Sequence, residues 1–235
     1  MKATDVKAEL DKHADAAAAE HAQRFFKTGE WQYGAGDKFM GIRVPVVRTV
    51  CKKFKDLPLT ALEKLLASPI HEHRLAALII MVNQAKKAAP EGQKQLYDSY
   101  FKNIKHVNNW DLVDTSCPQI VGSYLLNKSH APLYKLARSN DLWQKRIAMI
   151  STLNFIRAGE LADTFALAEL LLQDDHDLIH KAIGWMLRCA GDVDREALIK
   201  FLDAHATVMP RTALRYALEH LTPKQRLHYM SAKTR

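Results

Sequence analysis

Two tryptophans, one aspartate and several basic residues recur at spacings that could bring an aromatic surface, a carboxylate and cations together. The segments His71-Glu72-His73-Arg74-Leu75-Ala76-Ala77-Leu78, Leu142-Trp143-Gln144-Lys145-Arg146-Ile147-Ala148-Met149-Ile150 and Asp177-Leu178-Ile179-His180-Lys181-Ala182-Ile183-Gly184-Trp185 each have a polar start, a basic residue and a small apolar run. Arg74 and Arg146 lie 72 positions apart, Trp110 stands midway between them, and Lys181 follows 35 residues after Arg146. Equivalent positions of stacked repeats face the same way, so Arg74, Trp110, Arg146 and Lys181 are expected to line one surface. One helical turn on, and therefore on the same helix face, come Leu78, Asp114, Ile150 and Trp185.

These residue types suggest a particular chemistry. A carboxylate at Asp114 near Arg146 would stay ionised at neutral pH, because a nearby opposite charge favours the charged form. It would be a poor general acid but a good stabiliser of developing positive charge. Two indoles could form an aromatic surface against a cation or a nucleobase. Arg74, Arg146, Lys181, Arg211 and Arg215 could hold phosphates on either side. Taken singly, each residue also has a plain structural reading: a helical tryptophan in the core, or an aspartate in an ordinary ion pair.

The elements that must position them read as helical throughout. The nine glycines mark ends: Gly29, Gly34, Gly36 and Gly41 crowd one loop, and Gly159 and Gly191 follow amphipathic runs. Alternating runs that would suggest strands are absent. The pattern predicts a first helix over 4–26, a loop over 28–43, and helices over 45–55, 59–67, 70–88, 91–102, 109–127, 130–138, 141–158, 160–172, 177–190, 194–205, 209–220 and 223–232. Thr60 or Pro58, Asn109, Asn140 and Asp175 are the expected caps. Pro118 should kink or break its helix. Helix pairs recurring every 31–36 residues imply an all-α fold, a curved α-solenoid of about six HEAT-like repeats, with residues 1–235 as a single domain.

Composition sets the outer bounds. With 48% apolar and 26% charged residues the chain can bury a real core, and its most apolar stretch, around Leu75–Val82, is too short to cross a membrane. The first residues lack the apolar run of a secretory signal, so a cytoplasmic location is expected. Net charge is +8, yet residues 1–36 hold five basic and six acidic side chains, leaving +9 for the rest. Within 37–55, Lys38, Arg43, Arg48, Lys52, Lys53 and Lys55 face only Asp37. Such a clustered excess attracts polyanions. Cys51, Cys117 and Cys189 lack redox or metal spacing and read as structural thiols. His71/His73 and His176/His180 are the only close histidine groups, neither has a zinc-hydrolase spacing, and no metal or cofactor is expected.

The segments Trp110-Asp111-Leu112-Val113-Asp114, Leu142-Trp143-Gln144-Lys145-Arg146 and His180-Lys181-Ala182-Ile183-Gly184-Trp185-Met186-Leu187-Arg188, with Gly41-Ile42-Arg43-Val44-Pro45-Val46-Val47-Arg48 before them, resemble the DNA alkylation repair family, the HEAT-like-repeat alkylpurine DNA glycosylases. These landmarks span about residues 24 to 220. The resemblance implies a monofunctional, cofactor-free glycosylase of base excision repair. It would remove N3- and N7-alkylated purines such as 3-methyladenine and 7-methylguanine from double-stranded DNA without base flipping, unlike most glycosylases. It further implies Asp114 as the catalytic carboxylate, Trp110 and Trp185 as indoles flanking the deoxyribose, Arg146 at the DNA backbone, and Arg48, Lys181 and Arg188 as further DNA contacts, in a monomer. Two other classes remain open: a non-catalytic DNA-binding module and a protein-interaction solenoid.

Overall fold

The computed structural model describes residues 1–231, and every regular element among them is a helix apart from an isolated bridge between Lys38 and Ile70. The chain divides into two compact units, Met1–Ile120 and a second beginning at Val121. None of the described helices is long and apolar enough to cross a membrane.

The first unit contains α1 (Ala3–Asp11), α2 (Ala16–Phe25), α3 (Val44–Lys53), α4 (Leu59–Leu66), α5 (His71–Ala85), α6 (Pro90–Lys102) and α7 (Trp110–Cys117). The single helix expected over 4–26 is in fact two. Asp15 takes an extended conformation and its carboxylate accepts the amide of Ala18 at 3.0 Å, capping a new helix. A short acceptor of this kind competes with helix continuation, and the alanine run alone does not outweigh it. Gly41 presses on this break: it has φ +79°, and a Cβ there would lie 2.2 Å from the Asp15 carbonyl oxygen. Both features demand glycine.

Helix α5 is the axis of this unit. Every residue from His71 to Val82 is buried, and α1, α3, α4, α6 and α7 pack around it. A helix surrounded in this way has no solvent face, so its charged residues must find partners inside. Beyond α7 the helical path continues through one π turn, Pro118–Gly122. The wider turn absorbs the proline that lacks an amide and would clash with a regular helix.

The second unit contains α8 (Ser123–Leu125), α9 (Ala131–Ala137), α10 (Leu142–Ser151), α11 (Leu153–Arg157), α12 (Ala162–Leu171), α13 (Asp177–Val193), α14 (Arg195–His205), α15 (Arg211–Ala217) and α16 (Pro223–Ser231). Its centre is α13, which packs on α10, α11, α12, α14 and α15. Gly184 makes the α15 contact possible: a Cβ would stand 2.4 Å from both the Ala213 carbonyl oxygen and the Tyr216 Cβ. The caps fall one residue later than expected. Asp141, not Asn140, accepts the amides of Trp143 and Gln144 at 2.9 and 2.8 Å, and His176, not Asp175, accepts that of Leu178 at 3.1 Å. The expected helix end at residue 232 lies outside the described residues.

Candidate active site on helix α7

Helix α7 begins with a buried side chain holding its first amide. Asn109 is fully buried, its Oδ1 accepts the Trp110 amide at 2.9 Å, and its Nδ2 donates to Asp37 at 3.2 Å. Two residues on, Asp111 accepts from Nε2 of His71 at 2.8 Å. The first turn of α7 is therefore fastened to α5 and to the loop before α3 by side chains, in addition to its own backbone bonds.

His71 is the hub. Its Nδ1 meets Asp37 at 2.8 Å while Nε2 meets Asp111, so the imidazole lies between two carboxylates. Burial of a ring only 2% exposed disfavours its charge, but hydrogen bonds to Asp111 and Asp37 outweigh burial and raise the pKa to about 9. His71 is thus an imidazolium at neutral pH, donating from both nitrogens. Burial likewise disfavours the Asp37 carboxylate, yet His71, Arg74 and Asn109 hold it below its ordinary range. Arg74 donates to Asp37 and, at 2.6 Å, to Asn108. Two carboxylates and two cations sum to zero inside this cluster, which is the condition for keeping charges buried.

Aromatic rings cover the cluster and continue it to Trp110. Phe39 stacks on His71 with centroids 4.5 Å apart, and Phe26 stacks on Phe39 at 4.9 Å. Phe26 is also stacked on Trp110 at 5.3 Å, and Phe25 meets the indole edge-on at 6.0 Å. A protonated imidazole against aromatic faces gains electrostatically as well as by burial. Glu72 fixes the neighbouring loop by accepting the amides of Met40, Gly41 and Ile42 at 2.9, 2.8 and 3.2 Å.

On this base Trp110 and Asp114 are both half-buried, one helical turn apart on α7. The carboxylate of Asp114 is close enough to Tyr100 to add to the upward shift of that phenol, which burial dominates and Cys117 also reinforces. The turn combines an indole, a negative charge and partial access to solvent. It can stack against or beside a ligand and stabilise positive charge on it.

The cations divide into two groups. Arg74 and Arg146 are each 5% exposed, so the expectation that the ladder Arg74, Trp110, Arg146 and Lys181 forms one exposed surface is corrected at both arginines. Arg74 is spent on Asp37 and Asn108, and Arg146 donates to the carbonyl of Leu178. Their lane lies on helices enclosed by other helices, and periodicity cannot distinguish an inward lane from an outward one. Arg48 is exposed on α3, among the exposed Lys38, Arg43, Lys52, Lys53 and Lys55, of which Lys53 pairs with Glu9 at 2.6 Å.

In the second unit, Trp185 is half-buried on α13, where Lys181 pairs with Asp177 at 2.7 Å and Arg188 pairs with Glu219. Arg211 and Arg215 are exposed on α15, Arg211 donating to the Met230 carbonyl at 3.0 Å. Trp143, the other indole of this unit, is in the core. Cys51 and Cys117 are buried and Cys189 is half-buried, none of the three in a disulfide, with burial pushing Cys51 up to about 12. His176 caps α13 and His180 bonds the Asp174 carbonyl, and no three His, Cys, Asp or Glu side chains among the described residues form a metal-binding group.

Sequence reasoning did not find the Asp37, His71 and Asp111 cluster. Two signals were present: Asp37 is the lone acid of a basic run, and His71-Glu72-His73 is a histidine pair without metal spacing. What joins them is a contact across 34 residues that no local pattern encodes.

Comparison with known proteins places the whole chain. The family model described as DNA alkylation repair enzyme matches residues 6–221. A solved structure titled as a predicted DNA alkylation repair enzyme from Enterococcus faecalis superposes with a TM-score of 0.70 at 16% identity, covering 90% of this chain and 98% of that one. At that identity it establishes a shared fold. A search of curated proteins gives no significant match.

Proposed function

The chain belongs to the DNA alkylation repair enzyme family, and from that premise we propose that it is a glycosylase hydrolysing the N-glycosidic bond of cationic N3- and N7-alkylated purines in duplex DNA. The reading includes the HEAT-like repeat organisation expected from the sequence. The observation that carries it is the start of α7, where the half-exposed indole of Trp110 and, one turn on, the half-exposed carboxylate of Asp114 stand on a buried, charge-balanced base.

Alkylation at N3 or N7 makes the purine cationic, so it departs as a neutral base and needs no strong acid. The deoxyribose then gains oxocarbenium character, as in glycoside cleavage generally. Asp114, ionised, stabilises that charge and orients or deprotonates the attacking water. The bond from C1′ to the purine nitrogen breaks with its electron pair going to the base. The water oxygen then bonds to C1′, and its proton passes to the carboxylate or to solvent. Trp110 contributes an aromatic face beside the sugar, kept in place by Phe26 and Phe25. Fixing the group beforehand matters, because electrostatic stabilisation is strongest when nothing must reorganise during reaction.

Arg48 on α3 is proposed as a phosphate contact, as are Lys181, Arg188, Arg211 and Arg215 in the second unit, with Trp185 as a second aromatic contact to DNA. Arg146, buried on α10 and donating to the Leu178 carbonyl, is reassigned to the internal support of α13. Arg74 is reassigned from phosphate binding to the internal support of α7. The test is release of 7-methylguanine or 3-methyladenine from methylated duplex DNA, compared between the native chain and Asp114→Asn. Salt-sensitive binding without any base release would instead identify a non-catalytic DNA-binding protein.

A further inference from the structure

Trp31 is 93% exposed, and its backbone lies in the left-handed region at φ +64°. Both features are unfavourable within the free chain. A bulky side chain rarely adopts positive φ, and a tryptophan normally buries most of its surface. No aromatic, cation–π or hydrogen-bond partner of this indole occurs among the described residues. The loop that presents it is nevertheless well built. Gly34 donates to the Lys27 carbonyl at 3.1 Å, closing residues 27–34 into a ring with Trp31 near its tip. Inside the ring, Gln32 donates to the Gly29 carbonyl at 3.1 Å and its side-chain oxygen accepts the Gly29 amide at 3.1 Å. Gly34 is wedged at the neck, where a Cβ would come within 2.4 Å of the Phe26 carbonyl oxygen.

Both roots of this loop are fixed to the α7 site. Phe26, just before it, stacks on Trp110, and Asp37, just after it, bonds Asn109 and His71. Lys27 and Lys38 are exposed at the two roots, and Glu30 is the single acid within 27–36. Trp31 stands five positions after Phe26, a span of at most about 18 Å at ~3.6 Å per residue. A DNA strand advances about 3.4 Å per nucleotide, so the indole lies within roughly five base steps of a nucleotide held at Trp110.

We propose that Trp31 is a DNA-stacking side chain, placed by the 27–36 loop against a base in the duplex that occupies the α7 site. The inference rests on the DNA reading above and adds a contact to it. The loop fixes the backbone that carries the indole before binding, so stacking is not offset by the entropy of arranging a flexible segment. A wedge of this kind favours duplex that is already weakly stacked, such as that beside a lesion or an abasic position.

The experiment compares native protein, Trp31→Ala and Trp31→Phe by fluorescence anisotropy on labelled duplexes, one intact and one with a central tetrahydrofuran abasic analogue, across a salt series. Loss of one base–aromatic stack predicts about 5- to 150-fold weaker binding for Trp31→Ala on the abasic duplex, with Trp31→Phe close to native. The slope of log K against log salt should stay unchanged, because stacking releases no counterions. Thermal unfolding should also be unaffected, since the indole has no internal partner. Native-like affinity in Trp31→Ala overturns the inference and leaves the glycosylase reading intact. So does a concentration-dependent dimer that Trp31→Ala dissociates, which would make the indole a self-association contact. If the native chain binds neither duplex, this inference and the DNA reading fail together.

Discussion

Replacing His71 by glutamine should remove a specific pH dependence from the stability of the chain. The histidine pKa is about 9 in the folded protein and 6.5 as its ordinary value. Between those values the unfolded state has lost its proton and the folded state has kept it. Stability must then fall by about 1.4 kcal/mol per pH unit, or about 3 kcal/mol over the interval. The contribution is fully present below pH 6.5 and is lost as pH rises through about 9. Glutamine can replace some hydrogen bonds but not the charge, leaving Asp37 and Asp111 with Arg74 as the remaining cation of the cluster. The variant should therefore be least stable relative to the native chain near pH 6, and the two curves should approach each other by about 3 kcal/mol by pH 10. Urea denaturation followed by circular dichroism at constant ionic strength measures this difference, and subtraction cancels groups that titrate in both proteins. An NMR titration of the imidazole gives the pKa directly. Parallel stability curves, or an imidazole that loses its proton near pH 6.5, would refute the ion cluster as described.

Other perturbations separate packing from binding. Gly184→Ala forces a methyl group against the α15 backbone and should cost about 1–3 kcal/mol, read as a lower urea midpoint. Since Trp185 is the next residue, weaker DNA binding should accompany it. Arg48→Ala removes an exposed cation, and should leave the midpoint unchanged while lowering the salt slope of DNA binding by about 0.9 if it contacts one phosphate. An unchanged slope would remove Arg48 from the interface.

Helix positions were legible because apolar spacing and end signals are local. The expected and observed limits of α3, α4, α6, α9 and α12 differ by no more than two residues, and Pro118 produced an irregular turn where one was expected. The long first helix failed because a capping aspartate and a pressing glycine act from outside the alanine run. Side-chain direction was less legible. Arg74, Arg146 and Trp110 recur at one period, yet the arginines are buried and the indole is half-exposed, since burial depends on which neighbours enclose each helix. The α7 anchor was hidden for a further reason: Asp37, His71, Arg74 and Asp111 come from three separate stretches of the sequence, and only the folded chain makes a neutral cluster of them.

The central claim is that Asp114 on α7 stabilises an oxocarbenium-like sugar as an alkylated purine leaves. The direct measurement is single-turnover release of 7-methylguanine from methylated duplex by native protein and by Asp114→Asn, with DNA affinity and circular dichroism of both recorded alongside. Release by the native chain is expected, slowed about a hundredfold or more in the variant at near-native affinity and fold. No release by the native chain at stoichiometric enzyme, or equal rates in the two proteins, would contradict it.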